Sequence, residues 1–196
     1  GASSIGFWVK GDDTATSPAY VFGANPAAGG TYCFGGVNRT SSHLGKINWQ
    51  LRDDGGDALG IQCETVVLNA KWHLVVFTKD ATNTPAGMKP YVNGALATQT
   101  TISSGAFSDP IAIGRSAMIG SSSASASFFK GLVAQVGLWQ RELTATEISD
   151  WYKSATPPSG AHRYWACEND EMTTTLTESI AADNGTLDSV NMWSED

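Results

Sequence analysis

The sequence predicts an all-β protein, an antiparallel two-sheet β-sandwich with one short capped helix near residues 144–153. Three observations carry that expectation. Apolar and polar residues alternate at a period of two along several stretches, the pattern of strands with one buried face. Turn residues punctuate those stretches, and the composition suits sheets and turns, with 20 Ser, 19 Thr and 21 Gly in 196 residues. One stretch alone, after Leu143, combines helical spacing with a helix-start signal.

The elements follow in chain order. Ile5, Phe7 and Val9 make a first strand with Trp8 on its other face. From Ile47 to Arg52 the alternation runs unbroken, Asp53-Asp54-Gly55-Gly56-Asp57 reads as a turn, and Leu59, Ile61 and Cys63 resume it, so a hairpin is expected. Trp72 to Phe77 is more continuously apolar, as a central strand covered on both sides requires. Met88 to Val92 meets Asn93-Gly94, a pair that accepts positive φ in a type I′ turn, and Ala95 to Thr98 runs back. Ile111 to Gly114 is another short strand, and residues 121–127, SSSASAS, are a low-complexity loop.

Phe128 to Trp139 is a long strand expected to place Leu132, Ala134, Val136 and Leu138 on one face. The helix then begins at Thr144, whose partner in a capping box is Glu147, with Leu143 and Ile148 placed as a hydrophobic staple. Ile148, Trp151 and Tyr152 share a face, and Pro157-Pro158 stops the helix. Its brevity predicts a helix laid against the edge of the sandwich.

Composition bounds the function. A chain of this length is one domain, and 41% apolar residues are enough for a core. Nineteen acidic against 12 basic residues give a net charge of −7, which disfavours partners with phosphate backbones, so no nucleic acid is expected. No apolar run approaches the ~18 residues of a membrane span. The chain opens on Gly-Ala-Ser-Ser without Met or signal peptide and reads as a processed product or a segment of a longer protein. Cys33, Cys63 and Cys167 fit neither a disulfide framework nor a zinc pattern; Cys33 and Cys63 have the option of pairing if their strands are neighbours, and otherwise all three are small buried apolar residues.

Five ordered blocks carry a resemblance: FWVKG (7–11), WHLVVFTKD (72–80), KPYVNGALA (89–97), IAIGRS (111–116) and FKGLVAQVGLWQRELTATEISDWY (129–152). Together they resemble the laminin-G-like branch of the concanavalin-A-like jelly rolls, and since the blocks are core and turn positions they speak to fold. The tail, through Tyr164, Trp165 and Asn184-Gly185-Thr186-Leu187, is similar to a family segment that usually precedes the FWVKG strand. The expected organisation is thus one domain over 1–196, with 162–196 completing the sheets as permuted terminal strands next to residues 5–9.

These residues bear on several chemistries. Glycosidases of the superfamily place carboxylates on one strand as E-x-D-x-E or E-x-D-x-x-E; Glu168 and Asp170 start such a run, but Met172 and Thr173 end it. His43, His73 and His162 have no ligand-like spacing, and His73 reads as structural. The expectation is therefore no enzyme, with a glycoside hydrolase as the remote alternative. The resemblance implies Ca²⁺ as cofactor, since related modules hold it in acidic loops. The candidate ligands are Asp183 and Glu178 in the tail, which ranks first, and Asp53, Asp54 and Asp57; Asp12-Asp13 is a third acidic loop. Each also has a plain reading as a turn.

Sugar rings stack on exposed aromatics, and Tyr20, Tyr32 and Trp193 lie near loops or the terminus, whereas Trp49, Trp72 and Trp139 occupy expected core positions. The sequons at Asn38 and Asn184 read as chance occurrences. The function expected from all this is an extracellular or surface-displayed recognition and adhesion module. It would bind a glycan or a surface protein, within a larger assembly or multidomain chain and without membrane insertion. The alternative is a structural decoration or appendage module of a virion.

Overall fold

The computed structural model describes residues 1–11, 19–24, 32–38, 44–53, 55–108, 118–120, 129–167, 175–176 and 185–186. Its strands are β1 (Ser3–Gly11), β2 (Ala19–Ala24), β3 (Tyr32–Asn38), β4 (Lys46–Arg52), β5 (Ala58–Val66), β6 (His73–Lys79) and β7 (Met88–Val92). They continue with β8 (Ala95–Leu96), β9 (Gln99–Thr101), β10 (Met118–Ile119), β11 (Gly131–Trp139), β12 (Arg163–Trp165), β13 (Thr175–Leu176) and β14 (Gly185–Thr186). The helix α1 spans Ala145–Ser154.

Two six-stranded antiparallel sheets result. The first runs β12-β11-β1-β6-β7-β8 and the second β10-β2-β3-β4-β5-β9, while β13 and β14 pair with each other. This is the expected antiparallel β-sandwich of jelly-roll type. β12 pairs with Val136 to Leu138 of β11, so β11 stands between it and β1.

The alternation read in the sequence is the alternation of faces. Ile5, Phe7 and Val9 of β1, Val75 and Phe77 of β6, Ile47, Trp49 and Leu51 of β4, and Leu59, Ile61 and Cys63 of β5 form one core between the sheets. Trp49 and Phe77 meet across it with ring centroids 6.0 Å apart. β6 is continuously apolar because its other side is buried as well: Leu74 and Val76 join Tyr91, Trp139, Leu143, Ile148 and Trp151 in a second cluster. The hairpin turn is as expected, with Asn93 at φ 52° and Gly94 at φ 82°.

The second cluster corrects the helix position. α1 does not lie against the sheet edge; it lies across the outer face of the first sheet, over β11, β1, β6 and β7. Gly6 allows it, since a Cβ there would stand 2.5 Å from Cζ3 of Trp151. The start is capped as read. Thr144 Oγ1 accepts from the Glu147 N–H at 3.2 Å, and Glu147 Oε2 accepts from the Thr144 N–H at 2.9 Å. Arg141 donates to both Glu147 oxygens at 2.9 and 2.6 Å, and this hydrogen-bonded guanidinium lowers the Glu147 pKa to about 2.

A carboxylate with a depressed pKa stabilises the fold above its ordinary value near 4.5 and ceases to do so as pH falls through about 2. Glu147→Ala is therefore expected to lower unfolding free energy by about 1–2 kcal/mol at neutral pH. Denaturant titrations should show that difference shrinking as pH falls from about 4.5 towards 2.

Two further expectations change, and one open alternative closes. The single apolar face read for β11 is broken by a bulge, with two β11 residues facing one β1 residue between the pairs Gly6–Gly137 and Trp8–Ala134. Gln135, at φ 50°, takes up the extra residue, so Val133, Val136 and Leu138 face the core in place of Leu132 and Ala134. Trp72 is 42% exposed, whereas Trp49 and Trp139 are buried as expected. Cys63 is a free, buried thiol whose pKa burial raises, and β4 separates its strand from that of Cys33, so the two do not pair. The strand expected at Ile111–Gly114, the loop at 121–127 and Asp12-Asp13 lie outside the described residues.

Candidate binding face

The face of the second sheet turned away from the core is built by the polar half of the alternation. Asn48 and Gln50 alternate with the buried Ile47, Trp49 and Leu51, and Gln62 stands between Ile61 and Cys63. Register aligns one residue from each of five strands in a row across it: Tyr20 opposite Gly36, Gly36 opposite Asn48, Asn48 opposite Gln62, and Gln62 opposite Thr100. Gly36 is the low point of that row. A Cβ on it would lie 3.2 Å from the Tyr20 ring and 3.3 Å from Asn48 Oδ1, so ring and amide flank a bare stretch of backbone.

Two acceptors in this row receive no donor among the described residues. Gln62 is fully buried, and its Nε2 donates to the Ile47 carbonyl at 3.0 Å and the Cys63 carbonyl at 3.1 Å, which fixes the orientation of the amide. Its Oε1 accepts nothing. Asn48, 7% exposed, likewise has an Oδ1 without a partner. A buried donor or acceptor left unmade costs roughly 1–3 kcal/mol, a state that Trp8 Nε1 and Thr78 Oγ1 share among the described residues. Tyr20 is half-buried, and its phenol pKa is raised by that burial, so it stays protonated at neutral pH. Beside the row, Lys46 and Glu64 neutralise each other at 2.6 Å.

Of the residues expected to contact ligand, Tyr20 thus stands in the row. Tyr32 pairs with Arg52 of β4, and its side chain, like all of Trp193, lies outside the described residues. Asn48 and Gln62 were missed. Their signal in the sequence is only that of polar residues at the outward positions of strands, and the register that brings them together cannot be read from either strand alone.

The acidic turn after β4 has a different character. Asp53, 5% exposed, accepts through Oδ1 from the Asp57 N–H at 2.9 Å, and through Oδ2 from the Ser108 N–H at 2.9 Å and the Ser108 hydroxyl at 3.1 Å. Asp57 Oδ2 accepts from the Ala106 N–H at 3.0 Å, and its carboxylate sits against Gly105, leaving no room for a Cβ. These contacts clasp the β4–β5 turn to residues 104–108. The Ser108 amide, with further help from Asp57, Ser108 and Gly55, holds the Asp53 carboxyl below the usual carboxylate range.

Oxygens turned towards N–H donors do not fit the shell of a hard cation, which those donors would repel. Among the described residues no three acidic, His or Cys side chains converge. Asp54, Glu178 and Asp183 lie outside them. Asp53→Asn sets an NH₂ or a weaker acceptor against the Ser108 donors and is expected to lower the melting temperature equally in millimolar calcium and in chelator. A calcium-dependent rise in the wild type that the variant loses would instead make this turn a metal site.

A family model described as the concanavalin A-like lectin/glucanases superfamily matches residues 1–149. No curated protein matches the chain by sequence. Among solved structures, a carbohydrate-binding module (CBM40) of Ruminococcus gnavus IT-sialidase, bound to α2,3-sialyllactose, superposes with a TM-score of 0.54 at 16% identity, over 76% of this chain and 81% of that one. The binding domain of botulinum neurotoxin serotype D gives 0.53 at 18% identity over 79% of this chain, which spans only 36% of that domain's chain. A heptameric SAP-like pentraxin from Limulus polyphemus gives 0.50 at 14% identity, over 97% and 84%. At such identities the likeness is one of fold.

Proposed function

Since the chain belongs to the concanavalin A-like lectin/glucanases superfamily, we propose that it is a recognition module binding an uncharged glycan on the Tyr20 face of the second sheet. The observation that carries this reading is the pair of buried acceptors, Asn48 Oδ1 and Gln62 Oε1, left without donors beside an aromatic ring. Sugar hydroxyls supply donors, and the apolar face of a pyranose stacks on a ring such as Tyr20. An anionic sugar carboxylate would meet two carbonyl oxygens and be repelled, so hydroxyls are the groups these acceptors select.

The module acts by binding, not hydrolysis. In support, Glu64 is the one carboxylate among the described residues of this face, and it is tied to Lys46, whereas glycoside hydrolysis asks for a pair. An extracellular or surface-displayed setting, within a larger assembly, suits such a module. A glycan array tests the reading: saturable binding to at least one neutral oligosaccharide supports it. Failure across the array, with stoichiometric incorporation into a particle, would favour a structural role instead.

A further inference from the structure

Of the five large apolar residues exposed among the described ones, Leu44, Val66 and Trp72 lie at one end of the sandwich, while Leu96 and Tyr152 lie along the first sheet. Leu44 (46%) precedes β4, Val66 (46%) ends β5, Trp72 (42%) precedes β6, Leu96 (64%) lies just past the β7 turn, and Tyr152 (41%) is on the last turn of α1. Contacts join them. The Gly45 carbonyl accepts from Val67 and Leu68 N–H at 2.8 and 3.1 Å, and Ala70 donates to the Gly11 carbonyl at 2.9 Å. His73 Nδ1 accepts from Asn93 Nδ2 at 3.0 Å, and the neighbouring Gly94 packs on Tyr152. Tyr152 in turn stacks on Trp8 at 5.9 Å.

Unpaired cations accompany these residues. Lys10 stands one residue before the end of β1, Lys71 beside Trp72, Lys130 just before β11 and Lys153 beside Tyr152. Lys71, Lys130 and Lys153 are exposed and Lys10 partly so, and none of the four makes an ion pair among the described residues. The carboxylate of Glu64 nearby is taken by Lys46 at 2.6 Å. Asp12-Asp13 follows β1 and lies outside the described residues. His73 adds no charge while its two ring nitrogens are held by Asn93 and by Asn69 Oδ1 at 2.9 Å, and burial holds its pKa below the ordinary value.

We infer that this end, centred on Trp72, Lys71 and Lys130, is a peripheral docking surface for a bilayer bearing anionic headgroups. The chemistry is that of interfacial contact. Trp and Tyr rings settle at the headgroup boundary, aliphatic tips reach the upper acyl region, and each lysine is drawn to anionic lipid. Nothing here spans the bilayer, since among the described residues no helix is long and apolar enough to cross one. The surface uses none of the residues of the Tyr20–Gly36–Asn48–Gln62–Thr100 row. Tyr20 and Asn48 stand on the outer side of the other sheet.

Cosedimentation of the full chain with vesicles tests this. Vesicles of phosphatidylcholine with about one-third phosphatidylserine should retain the protein, and pure phosphatidylcholine should not. Raising salt should release it, because attraction at a surface is screened within a Debye length of roughly 8–10 Å at physiological ionic strength. Lys71→Glu/Lys130→Glu should weaken partitioning at least about tenfold, and Trp72→Ala should weaken it measurably, both with unchanged melting temperature because the side chains are exposed. Tyr20→Ala should sediment as the wild type does. Equal retention on both vesicles, no retention on either, or binding to a sulfated polysaccharide without binding to vesicles would each overturn the proposal.

Discussion

Trp151→Ala is expected to cost about 3–5 kcal/mol of stability, a large share of the roughly 5–15 kcal/mol that holds a domain together. The side chain is fully buried, edge-on to Trp139 with centroids 5.5 Å apart and an interplanar angle of 62°. Its Nε1 donates to Gln135 Oε1 at 2.9 Å, at the bulge of β11. Removing it takes the centre out of the layer that covers Leu74, Val76 and Tyr91 from outside. Gly6→Ala attacks the same contact from below, and its Cβ would collide with the indole. Denaturant unfolding measures both. A loss near 1 kcal/mol for Trp151→Ala would mean that the helix is an appendage and not the third layer of the fold.

Tyr20→Ala is expected to weaken glycan binding by tenfold or more, since a central aromatic contact is typically worth ~2 kcal/mol and 1.4 kcal/mol is tenfold. Tyr20→Phe keeps the ring and should lose less. Gly36→Ala should act in the same direction without touching the ring itself, because its methyl would fill the gap between Tyr20 and Asn48. Calorimetric titration of the three variants separates stacking from access. Equal affinity in all three would remove the ring from the site.

How far these features are visible in the sequence depends on range. The capping box at Thr144 and Glu147 and the Asn93-Gly94 turn are local, and both were legible from a handful of residues. So was the double burial of β6, which its unbroken apolar run announces. The helix's place over the sheet was not, because Gly6 and Trp151, which decide it, are far apart in the chain. The bulge at Gln135 was equally hidden, since its cause is the register against β1.

The binding face divides in the same way. Tyr20 stood out as an aromatic near a loop, while Asn48 and Gln62 became a site only when β4 and β5 were placed side by side with β3. Composition could not show which way the oxygens of the acidic turn at Asp53 face; the amides of Asp57 and Ser108 donate to them.

The most direct measurement follows the side-chain amides of Asn48 and Gln62 by NMR while a neutral oligosaccharide from the array is titrated in. Both amide signals are expected to shift with one saturable curve, as their oxygens take up hydroxyl donors, and Tyr20→Ala is expected to abolish the shift. Saturable binding that leaves both amides unmoved, or that moves only residues outside this row, would contradict the proposed site.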